Sequence, residues 1–347
     1  MEAVTYRRTV NMHTKNIDSV FFAKGIGIIL VAIGHYSPES SPQYWTQMRN
    51  IIYTFHMPLF FMLAGYLYGL SRPETSNYID FIHNKAKRLL IPFMSIAALV
   101  LMIKFLAASF FTLAHPVTLD TIIAIFVYPQ KSFLVLLWFI YALFIVFTLF
   151  PVINTLIKQN ATLLVFVLVS LYYIEWTNYF CLAKVFQHLP VFGIGYILGN
   201  RDINIDKIDK RFAFAIFAFF TFLFIVIYTY KDISFDSIVL QRTARLILAI
   251  CGSVSCMAIS IFACNFNNLF VSFVKLAGIY SMSIYLLHTV FAGVIRIGFY
   301  QVLKMPDSKF IFGAIAGIAV GIIAPLLLER FILSKYVFTK RFFLGLG

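Results

Sequence analysis

The sequence is poor in charged residues, and this excludes most classes of protein. Only 12% of the 347 residues are charged, whereas 61% are hydrophobic and the mean hydropathy is +0.88. Soluble domains carry about 25% charged and about 45–50% apolar residues, so this chain cannot cover its apolar surface with groups that water solvates. Soluble globular, disordered and collagen-like classes are therefore excluded, and a chain that crosses the lipid bilayer several times is predicted.

Cysteine, proline and alternating polarity are also scarce. The four cysteines form no CxxC pair and have no histidine companion, so they indicate small buried hydrophobic residues, and no metal site is expected. The chain has only 11 prolines. Its apolar runs are continuous and lack the roughly ten-residue alternation of membrane β-barrel strands. Long helices are therefore predicted. The cysteines are Cys181, Cys251, Cys256 and Cys264.

Ten apolar runs are long enough to predict membrane-spanning helices, which need about 20 residues each. The break between the fifth and the sixth run is short and barely polar. The sequence thus predicts an all-α polytopic membrane helix bundle of about ten transmembrane helices. The runs are 20–37, 51–70, 89–112, 132–154, 162–180, 183–199, 211–230, 243–264, 276–299 and 310–333.

The net charge of +14 is interpreted as a sign of topology. Surplus Lys and Arg collect on cytoplasmic loops, and most of the 28 Lys and Arg residues fall on one side when ten spans are drawn. Both termini are therefore predicted to be cytoplasmic, and nucleic acid is not an expected partner. A minor alternative is that some of this charge binds anionic lipid or a phosphate-bearing substrate. The predicted regions are a cytoplasmic segment 1–19, a membrane domain 20–333 and a basic cytoplasmic tail 334–347.

Lys24 and His35 are the most informative ionisable residues at lipid depth, where charged groups are costly. Eleven residues of α-helix are close to three full turns, so both side chains leave one helix face about 16 Å apart along the axis. A cation at the membrane surface and an imidazole deeper in the membrane suit a long acyl donor with an anionic head. The alternative is that Lys24 extends to lipid headgroups and His35 satisfies a buried polar partner.

Two more histidines occupy predicted spans. His56 precedes Pro58, which leaves a backbone carbonyl without its helical donor, so this histidine either lines a cavity or caps the loosened turn. His288 shares a helix face with Ser281 and Tyr285 through spacings of four and three. Both histidines are candidates for a functional site.

Two further patterns have a functional and a plain alternative. Lys85 and Arg88 are neighbours on one helix and could bind phosphates, although a cytoplasmic cluster of positive charge gives the same pattern. Gly313, Gly317 and Gly321 recur every four residues, which allows helix backbones to approach closely. Packing within the chain is favoured over dimerisation for this stripe.

The order of these motifs resembles the acyltransferase-3 family of integral membrane acyltransferases. Lys24 and His35 match the family's Arg/Lys-x10-His signature, and Lys85 and Arg88 match its RxxR signature with lysine in the first position. The resemblance covers essentially the whole chain. Further matching positions are Phe55-His56-Met57-Pro58-Leu59-Phe60-Phe61, Gly65, Trp138-Phe139, Ser283, Tyr285, His288 and Glu329.

The resemblance implies an O-acetyltransferase of the bacterial inner membrane. Such an enzyme moves an acetyl group from cytoplasmic acetyl-CoA to a hydroxyl of a cell-surface or lipid-linked carbohydrate, such as O-antigen or exopolysaccharide. Acyl-CoA, the carbohydrate acceptor and the bilayer are the implied partners. Lys85, Arg88 and Lys24 are expected to bind the phosphates, His35 to act at the thioester, and His56 and His288 to orient the acceptor. Whether His35 is a general base or is transiently acylated is left open.

The main alternative function is a polytopic transporter or flippase, which also needs about ten helices and a few buried polar groups. The chain lacks matching broken helices in inverted halves, which argues against it. A glycan polymerase or ligase would be expected to carry a large extracytoplasmic loop, and none is predicted. The sequence leaves the acceptor and the acyl group open. It also leaves the oligomeric state open, and a homo-oligomer is one of the alternatives.

Overall fold

The computed structural model describes residues 17–38, 41–71, 77–108, 118–132, 134–230 and 237–345. Over these ranges the chain is helical and has no β-strand, which confirms the predicted all-α class. Most of the predicted cytoplasmic segment 1–19 lies outside the described residues. The predicted boundaries at 19 and 333 therefore stay predictions.

The α-helices vary widely in length, from eight to 31 residues. Short 3₁₀ or π-helical turns precede or follow several of them, for example Tyr179–Cys181 and Gly298–Val302. In chain order the described helices are α1 (Asp18–His35), α2 (Gln43–Ser71), α3 (Tyr78–Ala108), α4 (Leu119–Val127), α5 (Trp138–Leu156), α6 (Ala161–Tyr173), α7 (Leu182–Asn200), α8 (Lys210–Tyr230), α9 (Ile238–Ala263), α10 (Leu269–Ile279), α11 (Ser281–Ile297), α12 (Phe310–Leu328) and α13 (Val337–Leu344).

Nine helical segments of the described ranges are long and apolar enough to cross a membrane, which agrees with a bundle of about ten. The fifth predicted run corresponds to α6, whose 13 residues rise about 20 Å against a hydrocarbon core of about 30 Å. The ninth run also differs, because Tyr280 separates α10 from α11. The side on which each terminus lies stays a prediction.

The chain divides into two compact units, Met1–Arg72 with Ile194–Ala324 and Pro73–Gly193 with Pro325–Gly347. In the first unit α1 is the central helix, because α2, α9, α10 and α11 all pack against it. Val20, Ile28 and Val31 of α1 are fully buried. The helix that carries Lys24 and His35 is therefore held on several sides by the same unit.

Distant residues satisfy the N-terminal end of α1, since Ile17 provides no side-chain cap. The Ser19 amide donates to Asp206 Oδ1 at 3.1 Å, which satisfies one of the helix's orphan N–H groups. Lys275 of α10 forms an ion pair with Asp18 at 2.9 Å. Burial raises the pKa of the Asp206 carboxyl above its usual range, against the opposing effect of the Ser19 hydrogen bond. The negative charges of Asp18 and Asp206 also lie at the positive end of the helix dipole.

Two glycines allow α1 and α10 to pack backbone to backbone. A Cβ at Gly25 would overlap the carbonyl oxygen of Val274, and a Cβ at Gly278 would overlap that of Phe21. Small residues permit such approach between membrane helices. The position of α1 along α10 is therefore set by two glycines in addition to the Asp18–Lys275 ion pair.

The second unit is organised around α3, which packs against α5 and α13. Its interior contains the fully buried aromatic residues Phe93, Phe150 and Phe192, and the rings of Phe150 and Phe192 are 4.8 Å apart. The Tyr78 hydroxyl donates to the carbonyl of Thr148 at 2.7 Å and ties the start of α3 to α5. This unit carries Lys85 and Arg88.

Candidate active site

Helix α1 is continuous from Asp18 to His35, so the eleven-residue spacing between Lys24 and His35 applies without interruption. Lys24 is half-buried near the N-terminal end, and its ammonium lies 5.9 Å from the ring centre of Phe21. His35 is the last residue of the helix and is also half-buried. The two side chains are thus separated by about 16 Å of helix rise.

The imidazole of His35 lies within a group of aromatic rings in the first unit. Its ring centre is 5.5 Å from that of His288 on α11 and 6.0 Å from that of Tyr53 on α2. Tyr53 is in turn 5.2 Å from His56. His35, Tyr53, His56 and His288 are called the histidine cluster below. The three predicted histidines are therefore brought together by three different helices.

The three imidazoles differ in how the backbone holds them. His56 Nδ1 is 2.8 Å from the carbonyl oxygen of Ile52, and His288 Nδ1 is 2.8 Å and 2.9 Å from the carbonyl oxygens of Ile284 and Tyr285. A carbonyl oxygen can only accept, so Nδ1 carries the proton in both rings and Nε2 holds the lone pair. His288 Nε2 is buried and has no hydrogen-bond partner among the described residues.

His35 is not held in this way. Its imidazole makes no hydrogen bond to any described residue, and the rings of Tyr53 and His288 lie beside it. Both ring nitrogens are therefore available for a substrate. An imidazole of this kind can act as a general base or as a nucleophile.

The glycine stripe of α12, Gly313, Gly317 and Gly321, packs against residues at the histidine cluster. A Cβ at Gly317 would overlap the ring of Tyr36, the residue after His35, and a Cβ at Gly313 would lie 3.1 Å from the Tyr36 hydroxyl. A Cβ at Gly321 would lie 3.1 Å from the carbonyl oxygen of His288. In the described structure the stripe therefore packs within the chain, next to His288 and to Tyr36, the neighbour of His35.

Arg49 and Tyr53 lie at the candidate site and were not predicted from the sequence. They lie one turn apart on α2, and both donate to the carbonyl of Gly34, Arg49 through Nε at 2.7 Å and Tyr53 through its hydroxyl at 2.6 Å. The predicted span began at residue 51, whereas α2 begins at Gln43. The polar residues at 43–50 lower the local hydropathy, so the apolar run alone could not reveal this part of the helix. The available signal in the sequence was that Arg49 and Tyr53, four residues apart, share one helix face just before His56.

The predicted phosphate-binding pair lies in the second unit. Lys85 is half-buried, with its ammonium 4.0 Å from the ring centre of Phe147 and 5.3 Å from that of Phe81. Arg88 is exposed one turn further along α3. The two cations therefore differ, because aromatic rings hold the first and solvent reaches the second.

No group of three or more His, Cys, Asp or Glu side chains in the described ranges could hold a metal ion. Of the four cysteines, Cys181, Cys251 and Cys256 are buried, Cys264 is partly buried, and all are free thiols. The histidine cluster itself offers imidazole and phenol groups, and the Arg49 guanidinium lies beside it. Such groups suit proton transfer and group transfer.

A comparison with protein families decides the class of this chain. The profile of an acyltransferase domain, that of the acyltransferase-3 family, matches residues 17–330. The chain belongs to the acyltransferase-3 family. The resemblance inferred from the motifs is thus confirmed, and it places this acyltransferase-3 chain in a class of multi-pass membrane enzymes.

Two relatives are similar to parts of this acyltransferase-3 chain, and both are named Nodulation protein NolL. The relative from Sinorhizobium fredii (strain NBRC 101917 / NGR234) is 35% identical over 100 residues, which are 27% of this chain and 27% of the relative. The relative from Mesorhizobium japonicum (strain LMG 29417 / CECT 9101 / MAFF 303099) is 32% identical over 148 residues, which are 41% of this chain and 37% of the relative. The chain thus spans about a quarter to two fifths of these relatives. No solved structure matches it.

Proposed function

We propose that this chain is an inner-membrane O-acetyltransferase that moves an acetyl group from acetyl-CoA to a hydroxyl of a cell-surface or lipid-linked carbohydrate. The observation that carries the proposal is the environment of the His35 imidazole. This imidazole lies 5.5 Å from the ring of His288 and has no backbone hydrogen bond among the described residues, in a chain of the acyltransferase-3 family. The catalytic residues proposed are His35, His56 and His288.

In the general-base route, neutral His35 takes the proton of the acceptor hydroxyl while that oxygen attacks the thioester carbonyl carbon. The new C–O ester bond forms and the C–S bond breaks. The thiolate of coenzyme A then takes the proton from the imidazolium. The products are the acetylated carbohydrate and free coenzyme A, and His35 returns to its neutral form.

In the acyl-imidazole route, His35 attacks the thioester itself and the acetyl group passes through a nitrogen of the ring. The N–C bond forms as the C–S bond breaks, and the ring proton leaves with the thiolate as free coenzyme A. The carbohydrate hydroxyl then attacks the acetyl carbon, the N–C bond breaks as the C–O ester bond forms, and the hydroxyl proton returns to the ring. Incubation with radiolabelled acetyl-CoA without acceptor, followed by rapid denaturation at neutral pH and removal of free acetyl-CoA, distinguishes the routes, because label attached to the protein accumulates in the second route alone.

His56 and His288 are proposed to act on the acceptor through Nε2, since Nδ1 of each ring is held by the backbone. An unsatisfied buried acceptor costs about 1–3 kcal/mol, and His288 Nε2 is one within the described structure. A second hydroxyl of the bound carbohydrate that donates to this nitrogen would remove that cost, while the reacting hydroxyl keeps its single proton for His35. Binding is therefore favoured for an acceptor that places one hydroxyl at His288 and the reacting hydroxyl at His35.

Lys85, Arg88 and Lys24 are proposed to bind the phosphates of the donor. Arg88→Ala is expected to raise the KM for acetyl-CoA by about 10- to 100-fold with little change in kcat, because a hydrogen bond to a charged group contributes about 1.5–3 kcal/mol. The donor without its 3′-phosphate should show a smaller difference between wild type and variant if Arg88 contacts that group.

Lys87→Ala is the matched control for Arg88→Ala, since Lys87 is exposed on the same helix and is not part of the pair. Its KM for acetyl-CoA is expected to equal that of wild type. Equal KM values for Arg88→Ala and Lys87→Ala would remove Arg88 from the donor site. Lys85→Ala is less informative, since it also removes the contact with Phe147.

Release of free coenzyme A tests the proposed activity. Purified protein in lipid nanodiscs is expected to release coenzyme A from acetyl-CoA, slowly without acceptor and faster with a carbohydrate acceptor. Deletion of the gene is expected to remove ester-linked acetyl groups from the surface glycan. A transporter or flippase, the alternative function, shows neither effect, so a folded preparation without release and an unchanged glycan would reject the acyltransferase.

A further inference from the structure

We propose that Arg49 and Tyr53 are positioning residues that clamp the C-terminal end of α1 and thereby hold the His35 imidazole toward its substrates. The inference rests on the proposed catalytic function of His35. It concerns residues of α2 that belong to none of the predicted motifs, and it is carried by the hydrogen bonds around residues 34–37.

The clamp satisfies a backbone group that would otherwise lack a partner. Gly34 lies in the last turn of α1, where carbonyl groups have no intrahelical donor, and in a membrane such groups must find one within the protein. The Gly34 carbonyl accepts from Arg49 Nε at 2.7 Å and from the Tyr53 hydroxyl at 2.6 Å. A positive charge at this end also complements the helix dipole.

The same side chains hold the backbone on the far side of His35. Arg49 Nη1 donates to Ser37 Oγ at 2.5 Å, and Trp45 Nε1 donates to the carbonyl of Tyr36 at 2.8 Å. Residues 34, 36 and 37 are thus all held by donors from α2. None of these bonds goes to the imidazole of His35, so the backbone around it is held while its ring nitrogens are left available for substrate.

Tyr53 connects the clamp to the other rings of the histidine cluster. Its ring centre is 6.0 Å from that of His35 and 5.2 Å from that of His56. The guanidinium of Arg49 lies 5.5 Å from the Tyr53 ring centre, and Nη2 is 3.2 Å from the Tyr53 hydroxyl. A Cβ at Gly34 would lie 2.8 Å from a carbon of this ring, so the close position of Tyr53 requires glycine there.

The clamp requires arginine at position 49, because three nitrogens of its planar guanidinium donate to three different acceptors. Lysine carries the charge on a single nitrogen and cannot reproduce this fork. Arg49→Lys is therefore expected to keep the charge at the end of α1 but to lose the alignment of His35. This separates the geometric effect of the clamp from a general electrostatic effect.

Steady-state kinetics with chemical rescue test the proposal. Arg49→Ala is expected to lower kcat about 100-fold, since a displacement of about 1 Å can have an effect of this size, with the KM for acetyl-CoA within about twofold of wild type. Guanidinium ion at millimolar concentration is expected to restore part of kcat in Arg49→Ala but not in Arg49→Lys. Tyr53→Phe, which removes one of the two donors to Gly34, is expected to lower kcat about tenfold.

Arg245→Ala is the matched control, because Arg245 also donates Nε to a backbone carbonyl, that of Gln241, but is exposed on α9. Its kinetics are expected to equal those of wild type, with or without guanidinium. If Arg49→Ala fails to fold, Tyr53→Phe and Arg49→Lys supply the same test.

The outcomes separate this inference from the proposed function. A wild-type protein that transfers no acyl group rejects the function itself. A wild-type protein that is active, together with an Arg49→Ala variant of unchanged kcat, rejects the clamp alone. A loss of kcat in Arg49→Ala that matches its loss of folded protein and does not respond to guanidinium assigns Arg49 a purely structural role, which also overturns the inference.

Discussion

His35→Ala is expected to lower kcat for acyl transfer by about 10³-fold, with wild-type amounts of folded protein in the membrane. The reason is that general-base catalysis contributes about 10²–10⁴-fold, and His56 and His288 are each held at Nδ1 by backbone carbonyls whereas His35 is not. The measurement is release of coenzyme A by purified protein, normalised to the folded fraction from size-exclusion chromatography. Thermal stability is expected to change little, since the imidazole makes no hydrogen bond to the described residues.

The control for this variant is His83→Ala. His83 is an exposed histidine of α3, outside the histidine cluster, so its loss is expected to leave kcat and KM unchanged. His288→Ala is expected to have a smaller effect than His35→Ala and to raise the KM for the carbohydrate acceptor more than that for acetyl-CoA. Undiminished transfer by His35→Ala, at equal abundance, would exclude His35 from the mechanism.

Gly278→Leu is expected to abolish folded protein. Any Cβ at this position would overlap the backbone of Phe21 and lie 2.9 Å from the backbone nitrogen of Gly25. Overpacking against side chains costs about 1–3 kcal/mol, but here the obstacles are backbone atoms of α1, which cannot move aside. Moving α10 away from α1 to make room for leucine would also break the Asp18–Lys275 ion pair. The measurement is the monodisperse fraction after solubilisation, together with the unfolding temperature.

The matched control is Gly293→Ala on the neighbouring helix α11. Nothing lies within 4 Å of a Cβ built there, and alanine is better than glycine in a helix by about 1 kcal/mol. This variant is therefore expected to fold as wild type or to be slightly more stable. If Gly278→Leu and Gly293→Ala behaved alike, the close approach of α1 and α10 would be wrong.

Some features of the fold could be predicted because hydropathy is a property of the sequence itself. The run at 211–230 corresponds to α8 (Lys210–Tyr230), and that at 310–333 to α12 with the turn that follows. The predicted helix boundaries were less accurate where the hydropathy of the sequence does not change at the end of a helix. The run at 162–180 forms a helix only over Ala161–Tyr173, and no proline or charged residue between 277 and 287 marks the break at Tyr280.

The site was predicted only as far as single helices allow. Lys24 and His35 could be related because both lie on one continuous helix with a known rise per residue. The 5.5 Å between the rings of His35 and His288 could not be predicted, because it depends on how α11 packs against α1. Arg49 was overlooked for a related reason, since its importance comes from an acceptor fifteen residues away.

The amino-acid sequence by itself determined that this protein is a helical, multi-pass membrane protein of the acyltransferase-3 family, because apolar length and motif order are readable along one dimension. Only the tertiary structure decided which polar groups meet. The polar groups that α1 meets are Asp206 at its N-terminal end and Arg49 and Tyr53 at its C-terminal end, and His288 lies beside His35. The physical reason is that buried polar atoms must find partners wherever packing brings them, and glycine contacts such as that of Gly278 with Phe21 set that packing.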